Sequence, residues 1–337
     1  MNKSRTLYNK YTPKFFHEVI GQKIIVNILN NIITRGSIPN AILFSGLYGT
    51  GKTSLARIFA RAINCIDDNK PCGKCLNCID DSIIQELDGA THNGVGDIKE
   101  LLENIFYLPL RNVLYKIYII DEVHMLSRSA FDSMLMTLQD PPSHVVFLFS
   151  TTNYMKIPDT FLSRCIHLQL RSLNNYDMKK YLDFILEEEK IELNDYIKDE
   201  LIDYSEGSLR KLLSSIDPIS LLNDKQDIFS FLEILTKDQC LEIFLLCLEG
   251  KPQKAIDKWI EYYSKGYNER SFLNNICKIL TDLTLQPDHF IKTKYNIDNN
   301  FLLQCWDITS NQIANLITHC PRVIETTLIM YSSVKTK

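Results

Sequence analysis

The sequence predicts an α/β fold, a parallel sheet built around a phosphate-binding loop, followed by two all-helical regions. Three observations carry this. Short apolar runs alternate with helical segments from about residue 40 to 170. The pattern G-x-x-x-x-G-K-[ST] falls at Gly46-Leu-Tyr-Gly-Thr-Gly-Lys-Thr53. Strand signals stop at about residue 174, and the rest of the chain has helical character.

The first strand expected is Ala41–Ser45, an apolar run that leads into the glycine loop. Ser54–Ile63 reads as the helix leaving the loop. Strand, loop and helix are the context in which this pattern grips phosphate. Gly46, Gly49 and Gly51 let backbone N–H groups close around an anion, with Thr50 and Ser54 in the same turn. The helix N-terminus adds its partial positive charge. Lys52 is placed to reach β- and γ-phosphates, and the Thr53 hydroxyl to ligate Mg²⁺. Ile117–Ile120 is the second strand and Val145–Phe149 the third. Continuous apolar runs of this kind suit parallel strands covered on both faces, so helices are expected on both sides of the sheet. The Ile117 strand ends in Asp121 and Glu122. Downstream of a phosphate loop, such a pair supplies a carboxylate for Mg²⁺ and a base that polarises the attacking water.

Helices are expected next at Tyr176–Glu189, Asp195–Ser205 and Ser208–Leu222. A polar break, Asn223-Asp-Lys-Gln-Asp227, precedes a third region with helices at Asp238–Leu248, Pro252–Tyr263, Glu269–Leu283, Phe301–Asn315 and Arg322–Val334.

Cys65, Cys72, Cys75 and Cys78 follow C-x6-C-x2-C-x2-C. Four thiolates on a short, turn-rich loop suit tetrahedral Zn²⁺ in a structural site with no open coordination position. An iron–sulfur cluster is the competing reading, because its motifs share the C-x2-C-x2-C spacing. The other six cysteines (Cys165, Cys240, Cys247, Cys277, Cys305 and Cys320) mostly sit in apolar runs, as reduced core cysteines of a cytosolic protein do. The chain has 337 residues and a net charge of -4, so it is not a general nucleic-acid binder; any DNA contact must be a local patch. No stretch approaches a membrane span, and Met1–Arg5 is too polar for a signal peptide.

Several of these segments, in order, resemble the gamma/tau family of bacterial DNA polymerase III subunits, the AAA+ ATPases of clamp loaders. They are Phe44 to Arg57, the cysteine run Pro71 to Cys78, and His92-Asn-Gly-Val-Gly-Asp-Ile-Lys-Glu-Leu-Leu-Glu-Asn104. Then come Tyr118-Ile-Ile-Asp-Glu-Val-His-Met-Leu-Ser127, Leu138 to Phe147, and Thr151 to Cys165, which ends in Ser163-Arg-Cys165. The resemblance implies an AAA+ nucleotide-binding domain over residues 1–172 with a zinc module at about 64–80. A helical lid at 173–222 and a helical collar at 223–337 would follow. It implies ATP, Mg²⁺ and Zn²⁺ as cofactors. Thr152 is implied as the sensor of the γ-phosphate, and Arg164 as a finger reaching a neighbour's ATP. Arg210 is implied as the lid arginine, and Val19 and Ile20 as part of the adenine-side loop. An arginine that merely caps helix-end carbonyls is the other reading of Arg164. Lys99 reads as a DNA-phosphate contact or a solvated helix lysine; Leu110–Tyr115 is less basic than its counterparts. The implied partners are delta, delta-prime and further gamma/tau copies in a pentameric hetero-oligomer, with the sliding clamp and primer–template DNA. The implied location is cytoplasmic, with no membrane partner. The alternatives are a delta-prime-like stator and a different AAA+ DNA motor. The intact Gly51-Lys52-Thr53 weighs against the first, the cysteines and Ser163-Arg-Cys165 against the second.

Overall fold

The computed structural model describes residues 6–80, 83–109, 113–219, 228, 231–233, 235–286, 289–315 and 323–335. The polar start, the break at 223–227, Cys320 and part of the 110–115 segment lie outside them. The chain forms two compact units, Met1–Asp217 and Pro218–Lys337.

The first unit opens with α1 (Leu7–Lys10) and α2 (Lys23–Arg35). Then come β1 (Ala41–Ser45), α3 (Lys52–Ile63), α4 (Leu76–Ile79), β2 (Ile84–Asp88), α5 (Val95–Asn104) and β3 (Lys116–Asp121). The sheet is completed by α6 (Arg128–Gln139), β4 (Val145–Thr151), α7 (Asp159–Leu162) and β5 (Ile166–Gln169). All five strands are parallel, in the order β2-β3-β4-β1-β5. Because side chains alternate across a strand, each of the central strands β1, β3 and β4 feeds two cores. Ile42, Phe44, Ile117, Ile119 and Leu148 pack with Leu55, Phe59 and Ile63 of α3 on one face. Leu43, Tyr118, Ile120, Phe147 and Phe149 pack with Ile98, Phe131 and Phe161 on the other. Helices thus cover both faces, as the apolar runs require.

The three expected strands are present, each within two residues of its expected ends. β2 and β5 were not expected. They are the two edges of the sheet, and their burial is partial. After β5 the described elements are helices, beginning with α8 (Asn175–Glu189), α9 (Asp195–Ser205) and α10 (Leu209–Ile219). Asn174 and Asn194 cap α8 and α9, each side chain accepting from a backbone N–H three residues on, at 2.7 and 2.8 Å.

The second unit contains α11 (Lys237–Leu248), α12 (Pro252–Ser264), α13 (Glu269–Leu285), α14 (Phe290–Tyr295), α15 (Asn299–Asn315) and α16 (Val323–Lys335). A reciprocal cap starts α11: Thr236 Oγ1 accepts from Gln239 N, and Gln239 Oε1 accepts from Thr236 N. Phe244, Trp259, Phe272 and Tyr331 anchor its core. Among the described residues, Cys240, Cys247 and Cys305 are buried in that core and form no disulfide, whereas Cys165 and Cys277 are half-buried.

Candidate functional site

The phosphate loop sits at the carboxyl end of β1. Gly51 caps α3 with φ +97, a conformation that side chains with a Cβ rarely adopt. A Cβ on Gly46 would lie 2.6 Å from the Leu170 carbonyl oxygen, a backbone atom that cannot step aside. Lys52 is buried, and its Nζ donates to the Gly46 and Leu47 oxygens at 3.0 Å each. Burial lowers its pKa, and the charges of Glu122 and Asp121 partly oppose that.

The tips of β3 and β4 complete the site. Asp121 Oδ2 accepts from Thr53 Oγ1 at 2.8 Å. Its other oxygen accepts from the Ser150 hydroxyl and from the Glu122 N–H. Glu122 has φ +45, uncommon for a residue with a long side chain. The turn it makes leaves no room on its neighbour: a Cβ on Gly89 would lie 2.9 Å from the Asp121 and Glu122 carbonyl oxygens. Glu122 Oε2 accepts from Thr152 N at 3.0 Å and Thr152 Oγ1 at 2.9 Å. His124 Nδ1 lies 3.2 Å from the same oxygen and 3.0 Å from Thr151 Oγ1. Thr152 therefore stands beside the carboxylate expected to handle water.

One open pocket gathers most of the expected residues. Gly49, Thr50, Gly51, Lys52, Thr53 and Ser54 line it, with Asp121 and Glu122. Arg210, Val19 and Ile20 line the same pocket. The segment after Ile20 is pinned to the strap leaving β5, because Gln22 Nε2 donates to Arg171 O at 2.7 Å and Arg171 N donates back to Gln22 Oε1. Gly46 and Thr152 support the pocket without lining it.

Arg164 stands apart. It is exposed, and its Nη1 donates to Thr160 O at 2.6 Å, which is the helix-end capping that its neighbours allow. Lys99 is exposed on α5. Sequence reasoning missed Ser150, His124, Gly89 and two tyrosines of the pocket, Tyr8 and Tyr48. The polar run Ser150-Thr-Thr152, closing a wholly apolar strand, was the available signal for the first.

The cysteine cluster forms beside α3. The four Sγ atoms of Cys65, Cys72, Cys75 and Cys78 lie within 4.8 Å of one another. The Cys72–Cys78 and Cys65–Cys75 separations are 4.0 and 3.9 Å. A tetrahedral ion with metal–sulfur bonds of about 2.3 Å needs edges of about 3.8 Å. A cluster that spreads its thiolates over several irons needs wider spacing, so the geometry fits one ion. Backbone N–H groups of Lys74 and Cys75 bring the Cys72 thiol down to about 6, while burial pushes Cys78 up to about 12. Asn64 fastens this loop to the sheet: its Nδ2 donates to Tyr115 O, its Oδ1 accepts from Tyr115 N, and its own carbonyl accepts from Asn77 Nδ2.

A family model described as "DNA polymerase III, delta subunit" matches residues 21–174. The DNA polymerase III subunit gamma of Buchnera aphidicola subsp. Baizongia pistaciae is 37% identical over 292 residues, covering 83% of this chain and 78% of that protein. The DNA polymerase III subunit gamma/tau of Mycoplasma genitalium is 35% identical over 291 residues, 83% of this chain and 49% of that protein. The DNA polymerase III subunit tau of Escherichia coli is 36% identical over 289 residues, 82% of this chain and 44% of that protein. The chain thus spans most of the Buchnera relative and less than half the length of the two others. In fold it is similar to the Thermotoga maritima RuvB Holliday junction branch migration motor. The TM-score is 0.51 at 19% identity, over 71% of this chain and 80% of that one. The likeness is one of fold, a parallel five-stranded core followed by helices.

Proposed function

The chain belongs to the gamma/tau family of DNA polymerase III subunits, and on that premise we infer that it is the ATP-hydrolysing motor subunit of a sliding-clamp loader. One observation supports this most strongly. A single hydrogen-bonded set joins Thr53, Asp121 and Ser150, and a second joins Glu122 and Thr152, beside a buried lysine at the mouth of the phosphate loop.

In this reading Lys52 faces the β- and γ-phosphates, while the loop from Gly46 to Ser54 offers backbone N–H groups. Thr53 and Asp121 hold Mg²⁺, which supplies neutralisation of charge on the phosphate oxygens. Glu122 polarises the attacking water, and Thr152 orients Glu122 and senses the γ-phosphate. Arg210 contacts the phosphates from the lid, and Val19 and Ile20 pack the adenine. Arg164 serves the ATP of a neighbouring subunit. The cysteine site takes one structural Zn²⁺, as its single-ion spacing favours.

The functional division of the chain is then a nucleotide-binding domain at 1–172, a lid at 173–222 and a collar at 223–337. The proposed partners are delta, delta-prime and further gamma/tau copies in a pentamer, together with the sliding clamp and primer–template DNA. The proposed location is the cytoplasm; among the described residues no helix is long and apolar enough to cross a membrane.

The match to a delta-subunit model favours a second reading, a stator that does not turn over ATP. Titration of the full chain with a fluorescent ATP analogue and Mg²⁺ separates the two. The motor reading expects saturable binding that Lys52→Ala removes at matched thermal melting. No binding by the wild type, or equal binding by the variant, rejects it.

A further inference from the structure

We propose that Tyr8 and Tyr48 are positioning residues for the lid arginine, gripping the faces of the Arg210 guanidinium so that its N–H edge is presented to the phosphates of a bound nucleoside triphosphate. This deepens, and rests on, the nucleotide-binding reading of the same pocket. The Arg210 guanidinium carbon lies 4.7 Å from the centroid of the Tyr8 ring and 5.0 Å from that of Tyr48. All three residues line the pocket that holds Lys52, Thr53 and Asp121.

The arrangement joins three separate elements. Tyr48 belongs to the phosphate loop, Tyr8 to α1, and Arg210 to the first turn of α10. α1 is itself fixed to α10, because the Leu7 N–H donates to both Asp217 carboxylate oxygens at 2.9 and 3.1 Å. Asp217 lies two turns along from Arg210, on the same face of the helix. The loop approaches the start of α10 closely as well: a Cβ on Gly49 would lie 3.1 Å from Arg210 Cβ and 2.0 Å from Ser208 Oγ.

The chemistry suits the role. Aromatic rings attract a guanidinium through its flat faces. Phosphate oxygens accept from its edge. Two rings therefore restrict a long, freely rotating side chain without competing for the groups that meet the ligand. An arginine already restrained loses less freedom on binding.

The test is a double-mutant cycle on the full chain, read as ATP-analogue affinity with Mg²⁺. Tyr48→Ala and Tyr8→Ala should each weaken binding about two- to fivefold, the range that exposed cation–π contacts give. Tyr48→Phe and Tyr8→Phe should restore it, because the ring and not the hydroxyl grips the cation. Adding Tyr48→Ala or Tyr8→Ala to Arg210→Ala should have no further effect. Undiminished losses in the Arg210→Ala background, or Phe variants as weak as the Ala variants, overturn the proposal while leaving nucleotide binding intact. Failure of Lys52→Ala to reduce binding overturns the underlying reading instead, and the proposal with it.

Discussion

Asp121 shows how much of the site one carboxylate organises. Its two oxygens serve different neighbours, Thr53 on one side and Ser150 with the Glu122 N–H on the other. Ser150→Ala removes one of the three donors that orient the carboxylate. Loss of such an outer partner typically costs 10–100-fold in metal affinity. A magnesium titration of ATPase rate should therefore show half-saturation moved up by about tenfold; an unmoved midpoint means that Ser150 does not orient the ligand. Glu122→Gln keeps the hydrogen bonds from Thr152 but loses the base. It should bind ATP and hydrolyse it about a hundred- to ten-thousandfold more slowly, measured by single-turnover phosphate release. If that variant fails to bind, Glu122 is holding the site together. Asp121 and Glu122 were legible in the sequence because an apolar strand that ends in two acids, downstream of a phosphate loop, has few other uses. Ser150 and His124 were not, because a serine or histidine near a strand end has many. Their meaning comes from which strand lies beside which, and that is a property of the sheet order.

The central strands and the edge strands divide along the same line. β1, β3 and β4 are covered on both faces, so each reads as an unbroken apolar run. β2 (Ile-Gln-Glu-Leu-Asp) and β5 (Ile-His-Leu-Gln) are edges, with polar residues that only a half-covered strand tolerates. Edge burial depends on which helices happen to cover it, and no local pattern reports that. The cysteine loop is the opposite case, since four cysteines in a short span announce themselves. Purified protein should carry about one Zn²⁺ per chain by metal analysis. Cys75→Ser should lower the melting temperature by more than about 4 °C, the shift that 1–2 kcal/mol gives in a domain of this size. It should move ATP affinity far less; the reverse pattern would mean that the cluster shapes the pocket. The N-terminal segment makes a prediction of its own. Glu189 on α8 accepts from Lys10 Nζ at 2.6 Å and from the Tyr11 hydroxyl at 2.5 Å. The Lys10 bond, then the Tyr11 bond, hold its carboxyl below the usual range. Its stabilisation is thus present above the unfolded value of about 4.3 and is lost as pH falls through the folded one. The hydrogen-exchange protection of residues 7–11, taken relative to the intrinsic rate at each pH, should fall on acidification below about pH 4. Glu189→Gln should exchange faster already at neutral pH and show no acid step; an acid step that persists in it assigns the effect elsewhere.

At the scale of the molecule, the parallel sheet puts Gly46 and Arg164 at opposite ends of paired strands. β5 runs alongside β1 with Ile166 opposite Ile42 and Gln169 opposite Ser45. Gly46 follows the end of β1, whereas Arg164 precedes the start of β5. Four strand residues at about 3.3 Å each separate the two by about 13 Å before the flanking turns are counted. An arginine side chain does not cover that distance, so in the proposed motor role Arg164 serves the ATP of another chain and not its own. Arg164→Ala complexes should bind ATP normally and hydrolyse it about a thousandfold more slowly. Complexes mixed from Arg164→Ala and Lys52→Ala chains should regain measurable hydrolysis, since some interfaces then pair an intact finger with an intact loop. No recovery in mixtures proven to co-assemble refutes the trans role. The same separation has a genetic consequence. On the proposed motor role, two alleles of this gene, one defective in the loop and one in the finger, should each fail alone yet restore function together. Allelic complementation would then map, without any biochemistry, which end of the sheet each mutation damages.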